Sequence, residues 1–410
     1  MSKILNSYNN EKIVIIIFTL LTVSEYLGQF IWQGTGIRHL YLILLVTLFL
    51  KRKVDKIAIN KASFKFLITA ITFYFVLSLY HNNISINTFL GWTFTYFFFI
   101  LFVPLSVSRN IKFDYHYVLK RIVQIIFVFT LFPFFESLIS FPSVRESYGV
   151  FRDQSGMSSM VAIAAILSNY LWLKTNKKYW KYLIIFFIAA ILMTTMKKSI
   201  FFIAVWSLFS FLPNTKITFK FSFIILISAV LILILPTIIE NINNVLDYES
   251  NSAVEDHVRW GMYVGGFILA LKYFPFGSGF SSFGSLFSIY DFKSGTYKMS
   301  QTYYDLGLNN LADNESKLLT GNTTFLDTYY PHIFAEGGFF QLILIIILIF
   351  HILKVFKKKC VQIKDIKLYR TFVWIGLMVF VDGIVINSPE MPVFIFFYSV
   401  LPGLIIASKN

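Results

Sequence analysis

Residues 327–338 read DTYYPHIFAEGG and lead directly into an apolar run that begins at residue 338. They close residues 240–337, a long segment that lies between two hydrophobic blocks and has no apolar run of its own. Arg259 stands near the start of this segment, and residues 274–280, FPFGSGF, are too rich in glycine to form a spanning helix. We therefore predict that residues 240–337 are the working part of the chain, with charged and aromatic groups held at a membrane surface.

The composition excludes a soluble globular chain. Hydrophobic residues make up 57% of the 410 residues and charged residues only 14%, whereas soluble domains contain about 25% charged residues. The net charge of +15 does not indicate nucleic-acid binding, because the lysines and arginines lie in short loops between apolar runs and act as topology signals. The one cysteine, Cys360, rules out an intramolecular disulfide and a cysteine-based metal cluster. We expect a polytopic membrane protein with membrane lipids, and no nucleic acid, among its partners.

Apolar blocks of roughly the 20 residues that cross a bilayer predict the architecture. The twelve blocks lie at residues 13–31, 36–50, 64–80, 88–107, 122–141, 157–173, 179–195, 199–212, 218–239, 338–356, 371–387 and 391–407. In lipid, runs of this length satisfy their backbone groups only as helices, so we predict an all-α fold with about 12 transmembrane helices. Residues 1–239 then contain helices 1–9, residues 240–337 form the long loop, and residues 338–410 contain helices 10–12.

The basic residues predict the orientation of these helices. They cluster in alternating loops, at residues 51–65, 109–121, 174–181 and 357–370. The positive-inside rule places these loops and both termini in the cytoplasm and the long loop outside. Glu25, Glu136 and Asp382 fall inside apolar blocks, where an unpaired charge is costly, so we expect each to face the helix bundle or a wet cavity.

Three arginines lie on the predicted external side, against the topology bias. Arg145 and Arg152 share one short loop, and Arg259 opens the working part of the long loop. Guanidinium groups beside glycine-rich turns are suited to bidentate binding of a phosphate or pyrophosphate. The start of the helix after Arg152 directs its N-terminal dipole to the same face, which favours an anion. The alternative is that each arginine pairs with a nearby carboxylate such as Glu146.

These motifs resemble those of a known family. Arg145 followed after ten residues by Gly156 resembles the Arg-x10-Gly motif of the O-antigen polymerase (Wzy-like) family. Residues 259–283 contain an arginine, a helical run and a Pro-x-Gly-x-Gly turn, which resembles a second pattern, shared with the wider superfamily of O-antigen polymerases and O-antigen ligases. His332, followed by Glu336 and two glycines, resembles the closing motif of that superfamily.

The match is incomplete in two places. A second Arg-x10-Gly motif is absent, because Ala270 stands ten residues after Arg259, and Ile333 replaces the asparagine that usually follows the closing histidine. Lys197 and Lys198 give a weaker match to a basic turn at the external break between two helices. The resemblance therefore supports the superfamily better than the individual member.

The resemblance implies a GT-C-like fold and a metal-independent, inverting glycosyl transfer without a cofactor. The substrate would be an undecaprenyl-pyrophosphate-linked oligosaccharide, as donor and as acceptor, at the outer face of the bacterial inner membrane. The product would be O-antigen or capsular polysaccharide. A chain-length regulator protein and a flippase are further partners that the resemblance suggests.

Roles for individual residues follow from this chemistry. A lipid pyrophosphate is a good leaving group, so the site needs cations to hold its charge and a base for the acceptor hydroxyl. The cations would be Arg145, Arg152, Arg259 and Lys198. His332, with an ordinary pKa of about 6.5, would be the base, and Glu336, one helical turn on, would orient it or bind sugar. The alternative for His332 is an interfacial histidine with a satisfied hydrogen bond.

Tyr263, Tyr329 and Tyr330 could supply stacking faces and hydroxyl groups for sugar rings, or could form an aromatic belt at the lipid headgroups. Three other functions remain open. An O-antigen ligase would use the same chemistry to transfer the finished polysaccharide to lipid A core. A lipid-linked oligosaccharide flippase would also have about twelve helices, although the paired halves of a transporter are not visible in the sequence. The third is a binding or scaffold protein.

Overall fold

The part of the chain that can be placed is helical. The computed structural model describes residues 10–23, 36–50, 61–82, 86–107, 111–139, 154–194, 196–211, 263, 265–280, 283, 329–383 and 391–408. Within these ranges there is no β-strand, and the only β-type pairing is an isolated bridge between Ile111 and Ser408. The prediction of an all-α chain is confirmed for the described residues.

Apart from one short helix within residues 240–337, the helices follow the predicted apolar blocks. The first nine are α1 (residues 10–23), α2 (Gly36–Leu50), α3 (Lys61–Asn82), α4 (Ile86–Thr95), α5 (Phe97–Val107), α6 (Tyr115–Ile139), α7 (Gln154–Thr175), α8 (Lys178–Met193) and α9 (Lys197–Phe211). The remainder are α10 (residues 265–272), α11 (Tyr329–Gln362), α12 (Ile366–Asp382) and α13 (Pro392–Ala407), which contains a π-helical turn at Phe396–Val400. Eleven of the twelve predicted blocks contain a helix, and the block at 218–239 lies outside the described residues.

Within the described residues, three helices are long and apolar enough to cross a membrane. They are Tyr115–Glu136, Gly156–Thr175 and Tyr329–Gln362, and the bent pair Thr88–Thr95 and Phe97–Ser106, with 54° between its halves, would make a fourth. The other apolar helices in the described residues are shorter, among them Lys65–Tyr80 and Pro392–Ala407. The count of twelve spans stays a prediction.

Helix α11 begins earlier than the sequence predicts. We expected the apolar helix to start at residue 338, but the helix starts at Tyr329 and contains one non-helical residue, Gly338, with φ 63° and ψ −168°. Pro331 is tolerated because it lies in the first turn, where its missing N–H has no helical partner. The polar residues His332 and Glu336 hid this first stretch from a hydropathy argument.

The central helix is α7, whose residues from Met157 to Tyr170 are all buried. It packs against α6, α8 and α12. Its sequence is rich in alanine and serine, and such small side chains let neighbouring helix backbones approach closely. With 22 residues, α7 is about 33 Å long, close to the roughly 30 Å hydrocarbon thickness of a bilayer.

One end of the bundle collects the basic loops. Asn10 donates from Nδ2 to the carbonyl of Lys112 over 2.9 Å, and the N–H of Asp114 donates to Oε1 of Glu11 over 2.7 Å. The N–H of Ile111 donates to the carbonyl of Ala407 over 3.0 Å. The start of α1, the loop before α6 and the end of α13 therefore meet at one place.

Two further loops reach the same end. Lys174, at the end of α7, forms an ion pair of 2.8 Å with Asp365, which precedes α12. Lys359 donates from Nζ to the carbonyl of Ser408 over 2.6 Å. Segments from three of the four clusters that we assigned to the cytoplasm thus lie together, and we call this the basic end. Helix α7 runs towards the basic end and α12 runs away from it. Their opposite ends, at Gln154 and Asp382, mark the second end of the bundle.

Candidate functional site

The second end of the bundle holds His332. The imidazole lies in the first helical stretch of α11 and is completely buried, and Glu336, one turn on, is 2% exposed. The ring of Tyr329 stands nearly perpendicular to the imidazole, at 88°, with 5.3 Å between the ring centroids. His332 therefore has protein around it on all sides and is not a residue of the bundle surface.

The interruption at Gly338 is stabilised by residues 275–279. In an unbroken helix, the carbonyls of Ala335 and Glu336 would accept from N–H groups four residues on. Here the N–H of Ser278 donates to the carbonyl of Ala335 over 2.7 Å, and the N–H of Gly279 donates to the carbonyl of Glu336 over 2.8 Å. In return, the N–H of Phe340 donates to the carbonyl of Pro275 over 3.4 Å. The turn thus replaces the hydrogen bonds that the interruption removes.

Glycine is required on both sides of this contact. A Cβ atom on Gly277 would lie 2.4 Å from the backbone nitrogen of Gly338, and a Cβ atom on Gly338 would lie 2.3 Å from the carbonyl oxygen of Pro275. Both residues also have positive φ angles, 76° and 63°. Gly277 of the FPFGSGF stretch and Gly338 of α11 therefore allow the close contact between these two segments.

The turn also holds the carboxylate of Glu336. The N–H of Phe283 donates to Oε1 of Glu336 over 3.3 Å. The N–H of Phe280 donates to the hydroxyl of Ser78 in α3, and the side chain of Ser278 donates to the carbonyl of Ala335 over 2.9 Å. Residues 278–280 are thereby tied both to α11 and to α3, and Phe283 fixes one oxygen of the predicted orienting carboxylate.

The three predicted sugar-binding tyrosines come together beside His332. The rings of Tyr329 and Tyr330 lie 5.4 Å apart. The N–H of Tyr329 donates to the carbonyl of Gly383 over 3.2 Å, and the hydroxyl of Tyr330 donates to the carbonyl of Phe380 over 2.8 Å. Burial raises the pKa of Tyr263, and Tyr330 is close enough to add to this effect. These contacts join the start of α11 to the end of α12.

Lys198 lies at the same end, but it already has a partner. Its ammonium group forms an ion pair with Oδ1 of Asp382, the last residue of α12. The other oxygen, Oδ2, accepts from the hydroxyl of Ser159 over 2.7 Å. The hydroxyl groups of Ser158 and Ser199 share a hydrogen bond of 2.7 Å, so the starts of α7 and α9 are joined as well.

The expectation that three acidic residues face the bundle or a wet cavity is confirmed for one of them. Asp382 is fully buried and faces the bundle, as predicted. Glu136 is exposed at the surface of α6, and Glu25 lies outside the described residues. A charge at Asp382 is tolerated in the interior because Lys198 and Ser159 are both within reach of it.

The structure thus gathers six of the predicted site residues at one end of the bundle: Lys198, Tyr263, Tyr329, Tyr330, His332 and Glu336. Arg145, Arg152 and Arg259, the predicted pyrophosphate ligands, lie outside the described residues. Their part in the site stays a prediction.

Sequence reasoning missed the polar residues that support this site. Ser159 and Ser199 were visible only as members of small, polar helix starts. Gln341 is completely buried on α11, and neither amide atom has a hydrogen-bond partner among the described residues. Its Oε1 atom occupies the space where Gly337 would carry a Cβ atom. The signal for Gln341 was a single amide inside an otherwise apolar run.

The arrangement can support proton transfer and charge binding. A neutral imidazole can accept a proton from a hydroxyl group, and the ring of Tyr329 lies beside that of His332. Lys198, Asp382 and three serines add polar groups at the same end of the bundle. No group of three or more His, Cys, Asp or Glu side chains with the spacing of a metal site occurs within the ranges that the structure describes.

Comparison with known proteins does not identify a family. No protein-family model matches the sequence, and no curated protein gives a significant match.

Proposed function

We propose that this chain is a membrane glycosyltransferase that joins lipid-linked oligosaccharide repeat units into a bacterial polysaccharide, either O-antigen or capsule. The donor and acceptor are undecaprenyl-pyrophosphate-linked, and the reaction takes place at the outer face of the inner membrane. The observation that supports it most is the burial of His332 and Glu336 at one end of an apolar helical bundle, where a turn more than fifty residues earlier in the chain holds the backbone and carboxylate of Glu336.

In this proposal His332 is the general base. A hydroxyl oxygen of the acceptor sugar attacks the anomeric carbon of the donor, and the bond from that carbon to the pyrophosphate oxygen breaks. The hydroxyl proton passes to the imidazole, and the lipid pyrophosphate leaves with the bonding electrons. A single displacement inverts the configuration at the anomeric carbon. Burial of His332 excludes water, which would otherwise compete with the sugar as the nucleophile.

Glu336 positions reacting groups in this scheme. Its Oε1 atom is held by the N–H of Phe283, so the carboxylate has a fixed place one turn from the imidazole. Tyr263, Tyr329 and Tyr330 give the acceptor sugar aromatic faces and hydroxyl groups to bind.

The pyrophosphate is held by cations. Arg145, Arg152 and Arg259 are the main ligands, because Arg binds phosphate oxygens in a bidentate manner. Arg152 precedes the first residue of α7 by two positions, and α7 begins at the end of the bundle that holds His332. Lys198 has a smaller part, since it must exchange Asp382 for the substrate before it can contribute its charge.

The test is transfer by the purified protein with a synthetic lipid-linked repeat unit, in the presence of a chelator, with chain length followed on a gel. We expect the wild type to form polymer and His332→Ala to form none, while donor binding stays nearly unchanged, because a base acts in the transition state. His351→Ala is the matched control: the residue lies on the same helix, half-buried, with its ring 6.5 Å from that of Phe99, and polymer should still form.

Two results would contradict the proposal. Transfer by His332→Ala at the wild-type rate would show that another group removes the proton. Dependence on a divalent cation would remove the metal-free mechanism. A separate reaction supplies lipid A core as the acceptor together with preformed lipid-linked polysaccharide as the donor. Transfer in this reaction alone would assign the O-antigen ligase reaction to the same site.

A further inference from the structure

An apolar cavity of about 220 Å³ lies between α11, α12 and α13. The residues that line it include Phe356, Phe372, Gly376, Phe380, Tyr398 and Pro402. It opens to the outside of the bundle, because Phe350 and Leu377 on its rim are 66% and 47% exposed. The wall offers almost nothing that could bind a sugar or a phosphate. We call this cavity the apolar groove.

No close contact with a described residue explains why position 376 is a glycine. A Cβ atom on Gly266 would lie 2.7 Å from the carbonyl oxygen of Pro331, and one on Gly403 would lie 2.8 Å from Cβ of Leu105. A Cβ atom on Gly376 would meet no atom of the described residues within 4 Å. Glycine inside a helix costs about 0.5–1 kcal/mol relative to alanine, and here that cost is not offset by a close helix contact. Among the described residues, the space beside Gly376 is therefore open to an apolar occupant.

The apolar groove begins beside the candidate site. Phe380 lines its wall, and the carbonyl of Phe380 accepts the hydroxyl of Tyr330, whose ring lies 5.4 Å from that of Tyr329, the neighbour of His332. From Phe380 the groove follows α12 back to Phe372, about 12 Å along the helix axis. It therefore runs from the end that holds His332 towards the basic end, inside the apolar part of the bundle.

We propose that the apolar groove holds the isoprenoid chain of the lipid-linked substrate, at the section next to the pyrophosphate. This inference rests on the proposed function. A lipid whose headgroup reacts at His332 must send its chain from that end of the bundle into the membrane, and the groove is an apolar path that starts there. Its volume is below the roughly 300–1,000 Å³ of a pocket that encloses a whole ligand, so it suits one section of a long chain.

The test is photo-crosslinking with a polyprenyl pyrophosphate that carries a diazirine near the pyrophosphate and no sugar. Because this probe cannot react, binding is measured apart from catalysis. In the wild type, mass spectrometry should locate the label on residues of the apolar groove, and unlabelled polyprenyl pyrophosphate should compete for it. Gly376→Leu fills the open space and should reduce labelling by about tenfold or more, since small changes in an apolar pocket alter binding on that scale. Gly376→Ala, the matched control, should reduce it little.

Other outcomes overturn the inference in distinguishable ways. Labelling elsewhere on the chain, with polymer still formed from the complete substrate, would reject the groove and leave the proposed function standing. Labelling in the groove that phospholipid displaces as well as polyprenyl pyrophosphate does would identify an ordinary acyl chain as the occupant. The absence of both specific labelling and polymer would reject the groove together with the proposed function. The wild-type result decides the matter even if Gly376→Leu fails to fold.

Discussion

Lys198 and Asp382 form an ion pair between the start of α9 and the last residue of α12, and the carboxylate is completely buried while the lysine side chain is 11% exposed. The same carboxylate accepts from Ser159 of α7. The residue after it, Gly383, accepts from the N–H of Tyr329 at the start of α11. The buried pair thus connects three helices, and the carbonyl of Gly383 adds α11, around the end of the bundle that contains His332.

We expect Asp382→Asn to destabilise the protein by about 3–5 kcal/mol, because it leaves the charge of Lys198 in the interior without its carboxylate. Lys198→Met combined with Asp382→Leu removes both charges and should recover most of this loss. Thermal unfolding in detergent measures the difference. Equal stability of Asp382→Asn and the wild type would show that the pair contributes nothing.

Gly277→Ala and Gly338→Ala should each destabilise the protein by at least about 1–3 kcal/mol, because both residues have positive φ angles and both new Cβ atoms would meet backbone atoms within 2.5 Å. Gly376→Ala is the control, since its Cβ atom meets no described residue within 4 Å, and it should leave the stability unchanged or raise it slightly. Thermal unfolding of the three variants side by side tests this. If all three behave alike, the joint between residues 275–279 and Gly338 is not structurally important.

At the basic end, stability should depend on Asp365. Burial raises the pKa of this carboxyl group, but hydrogen bonds from Lys174, Tyr170 and the N–H of Leu368 outweigh burial, so the net pKa lies below its ordinary value of 3.8. A lowered folded pKa means that the stabilisation is complete above about pH 4 and is lost as the pH falls through the folded value. Asp365→Asn keeps the cap on Leu368 and removes the charge.

We expect Asp365→Asn to lower the free energy of unfolding at pH 7 by about 1 kcal/mol, a modest figure because the Lys174 side chain is 42% exposed. The difference from the wild type should vanish in acid, at pH values below the folded pKa. Unfolding temperatures of both proteins between pH 3 and pH 7 provide the measurement. A difference that stays constant over this range would contradict the assignment.

Arg145→Ala and Arg259→Ala should each abolish polymer formation while expression stays normal, because each removes charged hydrogen bonds to the pyrophosphate from a partly dehydrated site. Replacement by lysine should restore only part of the activity, since a lysine cannot bind two phosphate oxygens at once in the same plane. Polymer length on a gel is the readout. Wild-type polymer from both alanine variants would end the assignment of these arginines to the pyrophosphate.

Glu336→Gln should reduce the rate of transfer less than His332→Ala does. The amide oxygen of glutamine can still accept from the N–H of Phe283, so the side chain keeps its place and loses only its charge. Single-turnover kinetics with the synthetic donor compare the two variants. Complete loss of activity in Glu336→Gln with a correctly folded protein would favour Glu336, rather than His332, as the base.

The helices were predictable because each depends on a local property, the length of an apolar run. The first stretch of α11 was not, because residues 329–337 are polar enough to be taken for a loop and pack as a helix against residues 275–280. The break at Gly338 was also beyond a sequence argument, since its hydrogen bonds come from a turn more than fifty residues earlier.

The candidate site was also predictable only where it depends on local sequence. His332, Glu336 and the tyrosines stand in short motifs that residue chemistry can identify. The partner of Lys198 could not be found in this way, because Asp382 lies far along the chain and was visible only as an isolated charge in an apolar block. The roles of these residues remain predictions that the experiments above decide.

Because α11 is interrupted at Gly338, the rotation of one part about its helix axis does not fix the rotation of the other part. Below it, the helix is oriented by its packing against α12 and α13. Above it, the helix is held by Ser278 and Gly279, which donate to the carbonyls of Ala335 and Glu336, and by the end of α12, which accepts from Tyr329 and Tyr330. The direction in which the imidazole of His332 points is therefore set by the turn and by the end of α12. The lower half of α11 can change its lipid-facing residues during evolution without rotating the histidine.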